Sequence, residues 1–497
     1  MTQVDAIVVG GGLGGLAASI VLGAQGRRTL LLEAAECLGG KAGTTTIDGV
    51  TVDTGPSVLT MPHTLLGLLR TAGLAPDDHI QLRAASPGFR YHFADDTVLD
   101  VHHAVGDTLD SVHATLGGQA ARELEAFLAY SRRIWESAAP YFVEGPAPTL
   151  PNLLRLGPSD LLKVRHIDAL RSMRTGIHSL VHHPHLRTLL ARYATYNGSD
   201  PRVAPATLNC IAHVELALGG YGVEGGIGHM VDVLAEAARR VGVVVRTGSR
   251  VDRILTPKGR VGGVRTSDGC VFQAPLVVSN AEAAHTATDL LDGTLRSGID
   301  TVSPRSMSGW TGILRACRPG ADSPRAPHTV WFPDDYDAEF ADIFDRDRPP
   351  AAPTVYLCAQ EACHGRTGWP TDEPVFAMVN TPPEPLHGPR APEVWTDLST
   401  RLHRHLVDRG AIQATDSFVW TRTPTQLARR FPGSRGALYG AASNDRFSAF
   451  RRPPNRIARV PGLFLATGSA HPGGGMPLAL LSGRLAAEEA LGHSLVG

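Results

Sequence analysis

The feature that most constrains this 497-residue chain is a glycine-rich turn between two apolar runs near its start. Residues 4–9 read VDAIVV, the composition of a strand buried on both faces of a parallel sheet. Gly10, Gly12 and Gly15 follow at the spacing G-x-G-x-x-G and lead into a helical pattern. A second apolar run ends in Glu33, 23 residues after Gly10. This order predicts a Rossmann-type unit in which Glu33 binds a ribose hydroxyl of a dinucleotide.

The residues of this turn have separate physical roles. Gly10 makes the tight turn, Gly12 allows the backbone to approach a pyrophosphate, and Gly15 lets helix and strand pack closely. Leu13 and Gly14 open the helix, whose unpaired N–H groups and partial positive charge attract phosphates. A glycine-rich turn without a ligand is the alternative for an isolated motif. The flanking strand, helix and acid favour a nucleotide.

A second glycine pair distinguishes between the possible dinucleotides. Residues 38–41 read LGGK, and residues 52–56 read VDTGP after a turn. An NAD domain has no need of this pair, whereas an extended FAD requires backbone near its ribitol and flavin. The sequence therefore predicts FAD. The predicted cofactor contacts in this part of the chain are Gly40, Lys41, Gly55 and Pro56.

Together these features resemble the FAD-binding amine-oxidase superfamily, and DTGPSVLTMP at residues 53–62 is similar to the bacterial carotenoid (phytoene-type) desaturases. The resemblance implies an α/β fold, in which a Rossmann-type FAD-binding domain is joined to a discontinuous substrate domain of mixed sheet and helices. The predicted boundaries are 1–75, 205–285 and 420–497 for the first domain, and 76–204 and 286–419 for the second, membrane-facing one. In the second domain, strand-like runs occur at 312–317, 329–332, 354–359 and 375–380, and a helical pattern at 392–408.

A late segment supplies the other half of the predicted cofactor site. Residues 462–468 form a strand pattern ending in glycine, followed by SAHPGGGMP and a helical pattern. A helix N-terminus here would direct N–H groups at the flavin and stabilise its anionic reduced ring. The superfamily resemblance adds Gly468, Met476 and Val251 to the cofactor contacts, with the backbone of Val251 against adenine. A glycine-rich helix start without a ligand is the alternative.

Candidates for catalysis come from the middle of the chain. Residues 192–201, RYATYNGSDP, are similar to the segment with which the desaturases return to the flavin domain. The similarity places Arg192 near the flavin or the substrate end group, and a structural ion pair is the alternative. His213 and Glu215 alternate, so they share a face if their element is a strand, and a His–Glu pair moves protons in many enzymes. A satisfied structural pair is the alternative for these two residues.

Composition excludes several classes of protein. The net charge of −1 gives no strong attraction to nucleic acid. No basic leader precedes the apolar start, and no apolar run reaches the roughly 18–20 residues that span a bilayer, which predicts a cytoplasmic protein. Residues 155–187 are basic and amphipathic. With the resemblance to enzymes of water-insoluble polyenes, this segment predicts peripheral attachment to a membrane surface; a solvated helical face is the alternative.

The six cysteines show no metal-binding pattern in the sequence. Cys358 and Cys363 are separated by four residues, but neither a second cysteine pair nor a nearby histidine doublet completes a zinc site. The sequence therefore predicts no metal and no disulfide.

The resemblance is strongest to the hydroxycarotenoid 3,4-desaturases, through HPGGGMPLALLSG and RYATYNG. It implies desaturation of a linear carotenoid, hydroxylated or not, by hydride transfer to flavin N5, with oxygen or a quinone as the electron acceptor. Phytoene desaturases of the same family are the runner-up. Two other classes are alternatives. A flavin-free prenyl-lipid carrier of the same fold lacks flavin-site features that this chain keeps, and an amine oxidase requires an aromatic cage and a lysine near N5.

Overall fold

The computed structural model describes residues 3–149, 152, 157, 166–291, 297–301, 303–320 and 324–492. In chain order, the strands are β1 (Ala6–Val9), β2 (Thr29–Leu32), β3 (Thr44–Ile47), β4 (Val50–Asp53), β5 (Leu82–Arg83), β6 (Phe89–His92), β7 (Val98–Val101), β8 (Gly222–Val223), β9 (Val244–Arg246), β10 (Val251–Leu255), β11 (Gly263–Thr266), β12 (Val271–Gln273), β13 (Leu276–Ser279), β14 (Ser308–Cys317), β15 (His328–Trp331), β16 (Val355–Ala359), β17 (Asp372–Thr381), β18 (Ser417–Arg422) and β19 (Leu463–Leu465). The α-helices are Leu13–Ala24, His63–Thr71, Val105–Leu116, Gly118–Phe142, Met173–His178, Pro184–Ala191, Cys210–Leu216, Gly226–Arg240, Ala283–His285, Tyr336–Phe340, Gln360–His364, Pro392–Asp408, Pro424–Arg430, Ser448–Arg451 and Met476–Leu491.

Five strands form a parallel sheet in the order β19–β13–β1–β2–β9. Every residue of β1 and β2 is buried, as their continuous apolar runs predict for the middle of such a sheet. Because the carboxyl ends of parallel strands meet at one edge, the segments after β1, β2, β13 and β19 lie together there. These segments begin at residues 10, 33, 280 and 466, so the edge joins both ends of the chain to its middle.

Three helices cover one face of the parallel sheet and form a single apolar core with it. The helix Leu13–Ala24 lies between Gly226–Arg240 and Met476–Leu491 and contacts both. A side chain at Gly483 would place its Cβ 2.1 Å from the Gly14 carbonyl oxygen, so the first and last of these helices approach closely through glycine. Small residues thus set the spacing of the helical layer.

A second, mixed sheet has seven strands in the order β18–β14–β17–β16–β15–β6–β7. Its neighbours are antiparallel except for β15 and β6, which are parallel. The strands predicted at 312–317, 329–332, 354–359 and 375–380 are confirmed as β14–β17, and the helix predicted at 392–408 is confirmed with the same bounds. The predicted fold class, an α/β protein with a Rossmann-type sheet and a mixed sheet, is therefore confirmed.

Among the residues that the structure describes, no helix combines the length and the apolar character needed to cross a bilayer. The basic segment predicted at 155–187 falls partly outside the described residues, since 155, 156 and 158–165 are not described. Its described part contains the helices Met173–His178 and Pro184–Ala191.

Candidate functional site

The glycine turn, defined here as residues 10–15, is shaped by backbone contacts that exclude side chains. Gly10 has a φ of +98°, which favours glycine. A Cβ on Gly15 would lie 2.0 Å from the Gly10 carbonyl oxygen, and one on Gly14 would lie 2.2 Å from the Ala466 carbonyl oxygen. No described side chain caps the helix that starts at Leu13, so its first N–H groups are available to an anion.

The Glu33 carboxylate stands beside the glycine turn at the end of β2. One of its oxygens accepts the Gly11 N–H at 2.6 Å, and the other accepts the Ala35 N–H at 2.8 Å. The Glu33 carbonyl accepts the Ser249 N–H at 2.7 Å, and this contact brings the segment leading to Val251 alongside. The structure therefore places together the residues predicted to bind ribose and adenine.

Asn280, which was not among the predicted site residues, joins the glycine turn to the C-terminal strand. It follows β13, and its Oδ1 accepts the Gly12 N–H at 2.9 Å. Its Nδ2 donates to the Ala466 carbonyl at the end of β19. A sequence signal existed, because a polar residue directly after a buried parallel strand lies at the ligand-binding edge of such a sheet.

The second glycine pair packs directly on the first. Gly39 forms a parallel bridge with Gly12, and a Cβ on Gly40 would meet the Gly12 Cα at 3.2 Å. Lys41 Nζ donates to the carbonyls of Ala437 at 3.1 Å and Leu438 at 2.9 Å. Burial lowers the pKa of Lys41. Lys41 therefore holds the 437–438 loop against this end of the sheet.

Gly55 lies beneath this second pair of glycines. A Cβ on Gly55 would sit 2.2 Å from the Lys41 carbonyl oxygen, which excludes any side chain at this position. Pro56 follows directly in the chain. Gly55 thus packs directly against the backbone of Lys41, and Pro56 continues the chain from this contact.

The C-terminal turn, residues 468–476, provides a second helix start near the glycine turn. Gly475 precedes the helix Met476–Leu491 with a φ of +106°, and no described side chain caps that helix. No described heavy atom lies within 4 Å of a Cβ built on Gly475, whereas the ring of Tyr439 packs against Gly474 at 2.6 Å from such an atom. Open space before an uncapped helix N-terminus fits the electron-rich edge of a flavin ring.

Asp53 has a structural role that the sequence did not reveal. Its carboxylate accepts the N–H groups of Ile227 at 2.8 Å and Gly228 at 2.9 Å, at the start of the helix Gly226–Arg240. It also pairs with Arg366 at 3.0 Å. The segment that precedes Gly55 is thereby fixed by residues more than 170 positions away.

Arg192 is the centre of a buried polar group, here named the Arg192 cluster, formed by Tyr91, Arg192, Tyr193, Tyr196 and Glu215. The guanidinium donates to Tyr91 Oη at 2.8 Å and pairs with Glu215 at 3.3 Å. The hydroxyls of Tyr193 and Tyr196 donate to the Glu215 carboxylate. The structure thus matches the ion-pair alternative for Arg192.

Burial also controls ionisation in the Arg192 cluster. It raises the pKa of Tyr91 to about 12 and the pKa values of Tyr193 and Tyr196 further above their usual value. Burial acts against a charged Arg192, but the surrounding tyrosine oxygens and Glu215 raise its pKa well above the usual value. The cluster therefore consists of a permanent guanidinium and three neutral phenols.

The prediction that His213 and Glu215 share a face is wrong, because their element is the helix Cys210–Leu216 and not a strand. Residues two apart on a helix point in different directions. Glu215 joins Arg192, whereas His213 lies near Arg132 and Glu136, and burial lowers its pKa. The two residues therefore form no proton-transfer pair.

Cys358 and Cys363 lack a second cysteine pair or a histidine doublet nearby in the sequence, but the fold brings a single distant histidine to them. His328 lies with both thiols in one buried group. It is 30 residues before Cys358 in the sequence, so spacing alone did not reveal it.

Comparisons with known proteins identify the family and the fold of this chain. The Flavin containing amine oxidoreductase family matches residues 13–301, more than half of the chain. The chain is 33% identical over 498 residues to hydroxyneurosporene desaturase of Rubrivivax gelatinosus, covering 98% of this chain and 93% of that protein. It is 29% identical over 490 residues to 4,4'-diaponeurosporene oxygenase of Staphylococcus aureus, covering 97% of each. The solved structure of cyclohexylamine oxidase from Brevibacterium oxydans shares the fold, with a TM-score of 0.58 at 16% identity and 98% of both chains covered.

Proposed function

We infer that this chain, which belongs to the flavin-containing amine oxidoreductase family, is an FAD-dependent carotenoid desaturase. It is an oxidoreductase that acts on C–C bonds of a linear carotenoid. The observation that carries the inference is that similarity to hydroxyneurosporene desaturase extends over 98% of the chain. That similarity includes both helix starts of the cofactor site and the seven-stranded sheet between them in sequence.

Bound FAD supplies a hydride acceptor at flavin N5. Glu33 would bind the ribose hydroxyls, and the backbone of Val251 would hold the adenine. The N–H groups that open the helix at Leu13 would bind the pyrophosphate. The helix start at Met476 would hold the flavin, and the turns at Gly40, Gly55 and Gly468 would supply backbone contacts. These assignments rest on the uncapped helix starts and on the close packing of the glycines.

The division into a cofactor domain (1–75, 205–285 and 420–497) and a substrate domain (76–204 and 286–419) is part of the proposal. The substrate is a linear carotenoid with a hydroxylated end, as in the name of the Rubrivivax relative. Arg192 and Glu215 have a structural role in this proposal, because both are buried and bonded within their cluster. The protein works at a membrane surface and passes its electrons to a quinone or to oxygen.

The test begins with the absorbance spectrum of the purified protein. We expect bound flavin, and a colourless protein would instead favour the lipid-carrier alternative. Incubation with hydroxylated, lycopene-type and phytoene-type carotenoids then compares substrates by the red shift of their visible absorption. We expect the largest shift with the hydroxylated carotenoid; turnover of phytoene alone would favour the phytoene desaturase alternative.

A second candidate is oxygenation of the carotenoid, because the relative from Staphylococcus aureus is named an oxygenase. Mass spectrometry of the product distinguishes the two reactions. Desaturation removes hydrogen from the substrate, whereas oxygenation adds oxygen that an isotope-labelled gas would mark. We expect the hydrogen loss without incorporation of label.

Membrane attachment and the electron acceptor have separate tests. Sedimentation with anionic and with neutral vesicles measures binding, and we expect retention by the anionic ones. Turnover under nitrogen with an added quinone, compared with turnover in air, identifies the acceptor. Failure to bind either kind of vesicle would contradict the membrane proposal without affecting the desaturase assignment.

A further inference from the structure

Three buried side chains from separate parts of the seven-stranded sheet converge on one point. His328 on β15 lies directly opposite Cys358 on the antiparallel neighbour β16, so their side chains share a face. The chain then turns into the helix Gln360–His364, which returns Cys363 to the same place. The ligand atoms of the three residues all lie within 4.8 Å of one another, and all three are buried.

The spacing of these atoms suits a tetrahedral cation. Cys363 Sγ and His328 Nε2 are 3.5 Å apart. A zinc ion with Zn–S of about 2.3 Å and Zn–N of about 2.0–2.1 Å separates neighbouring S and N ligands by about 3.6 Å. The observed pair therefore requires almost no movement to share an ion.

The surroundings of His328 leave the correct nitrogen for a metal. Its Nδ1 is 2.8 Å from the Tyr356 hydroxyl, so Nε2 faces the two thiols. Metal-bound histidines usually hold a hydrogen bond at the other ring nitrogen, which fixes the orientation of the ring. Tyr356 thus occupies the place of an outer partner that orients a ligand.

A second histidine and a small cavity lie next to the group formed by His328, Cys358 and Cys363. His364 accepts the Val223 N–H at Nδ1, and its buried Nε2 has no hydrogen-bond partner among the described residues. His364 directly follows Cys363 in the chain and is buried like the three ligands. Cys363 and His328 also line a cavity with about 20 Å³ of free space, enough to hold one water.

We propose that His328 Nε2 and the thiolates of Cys358 and Cys363 form a binding site for a zinc-like divalent cation. Binding releases the two thiol protons to solvent and changes no oxidation state. The ion ties β15, β16 and the helix Gln360–His364 together. The Gln360 side chain of that helix hydrogen-bonds the backbone of Asp53 in both directions. The ion therefore stabilises the contact between the second sheet and the segment preceding Gly55.

The test uses the intact flavoprotein with Co²⁺ as a spectroscopic probe for the site. After chelator treatment under reducing conditions, we expect one equivalent of Co²⁺ to bind, with thiolate charge-transfer bands and d–d bands at longer wavelengths than flavin. Cys363→Ser and His328→Asn should abolish the thiolate-site spectrum. Cys210→Ser, which removes a thiol outside the group, should keep it. Binding does not depend on turnover, so its failure is distinct from failure of the desaturase assignment.

Tyr356→Phe provides a second test in case the ligand variants fail to fold, because it removes only a hydroxyl. We expect it to keep the bands at saturation but to weaken cobalt or zinc binding by about 10- to 100-fold. Retained flavin absorbance and melting temperature verify the fold of each variant. The proposal is overturned if the reduced native protein shows no thiolate–cobalt bands, or if Cys363→Ser leaves them unchanged. It is also overturned if Cys358 and Cys363 form a disulfide whose reduction yields no metal binding.

Discussion

The glycine turn and the Arg192 cluster solve opposite problems within one chain. At the glycine turn, backbone groups must come close together, and the absence of side chains permits this. In the Arg192 cluster, five side chains from three separate segments form hydrogen bonds with one another. The first region should therefore fail when an atom is added, and the second when a charge is removed. A local motif encodes the first, whereas only the folded chain brings the second together.

The largest effect should come from Gly15→Ala. The added Cβ would lie 2.0 Å from the Gly10 carbonyl oxygen, a backbone atom that cannot move aside. We expect purified protein without flavin and with a lowered melting temperature. The matched control is Gly67→Ala, where no described atom lies within 4 Å of the new Cβ. Because alanine favours a helix more than glycine does, Gly67→Ala should raise the free energy of unfolding by up to about 1 kcal/mol. If Gly15→Ala keeps its flavin, close backbone packing at the glycine turn is not required for cofactor binding.

Glu215→Gln should have the next largest effect, because it leaves the buried Arg192 guanidinium without a counter-charge. Breaking such a pair costs about 3–5 kcal/mol in unfolding free energy, measured in urea. The same change in the exposed Arg132–Glu136 pair should cost less than about 1 kcal/mol. The double variant Arg192→Met/Glu215→Leu should lose less stability than the sum of the losses in Arg192→Met and Glu215→Leu. Equal losses at Glu215 and Glu136 would show that burial of the cluster is unimportant.

Glu339 sharpens the comparison, since it is a buried carboxylate that forms no ion pair among the described residues. It accepts the Thr354 N–H at 2.7 Å and the Asn380 amide at 3.1 Å. Burial raises its pKa from 4.5 to about 7. As pH rises from 4.5 to 7, the unfolded chain releases this proton first, so stability falls by about 3 kcal/mol. Glu339→Gln should lack this decrease in urea titrations across that pH range. Parallel curves for both proteins would contradict the shifted pKa.

The smallest effects should come from Asn280. Asn280→Ala leaves the Gly12 N–H without its acceptor and should lower stability by about 1–3 kcal/mol. Asn280→Asp keeps an acceptor but adds a negative charge beside the proposed pyrophosphate site. Flavin retention should therefore decrease in the order Asn, Ala, Asp, as measured by flavin absorbance after dialysis. If Asp retains flavin as well as Asn does, the phosphates do not bind at the glycine turn.

The parts of the molecule that the sequence predicted are those with local periodicity. The buried strands of the parallel sheet and β14–β17 carry apolar patterns within single segments, and the helix Pro392–Asp408 begins with a proline at its first turn. The glycine motifs predicted a turn because the required backbone shape depends on the residue itself. Such signals are readable without knowing what lies opposite them.

The missed features all depend on partners distant in sequence. The Asp53–Arg366 pair spans 313 residues, and Asn280 contacts the ends of β1 and β19. The seven residues Cys210–Leu216 are too short for periodicity to separate helix from strand, so His213 and Glu215 received the wrong geometry. The grouping of His328 with two cysteines depends on the pairing of β15 with β16, which no local pattern specifies.

The position of the helix Leu13–Ala24 has a consequence for biosynthesis. Every residue from Leu13 to Gly23 is buried, and much of the cover comes from the helix Met476–Leu491. Synthesis from the N-terminus makes this apolar helix more than 450 residues before its cover. A chain truncated just before Met476 should therefore expose the face of Leu13–Ala24 that Met476–Leu491 covers, and it should be degraded rather than persist as a slightly shortened enzyme.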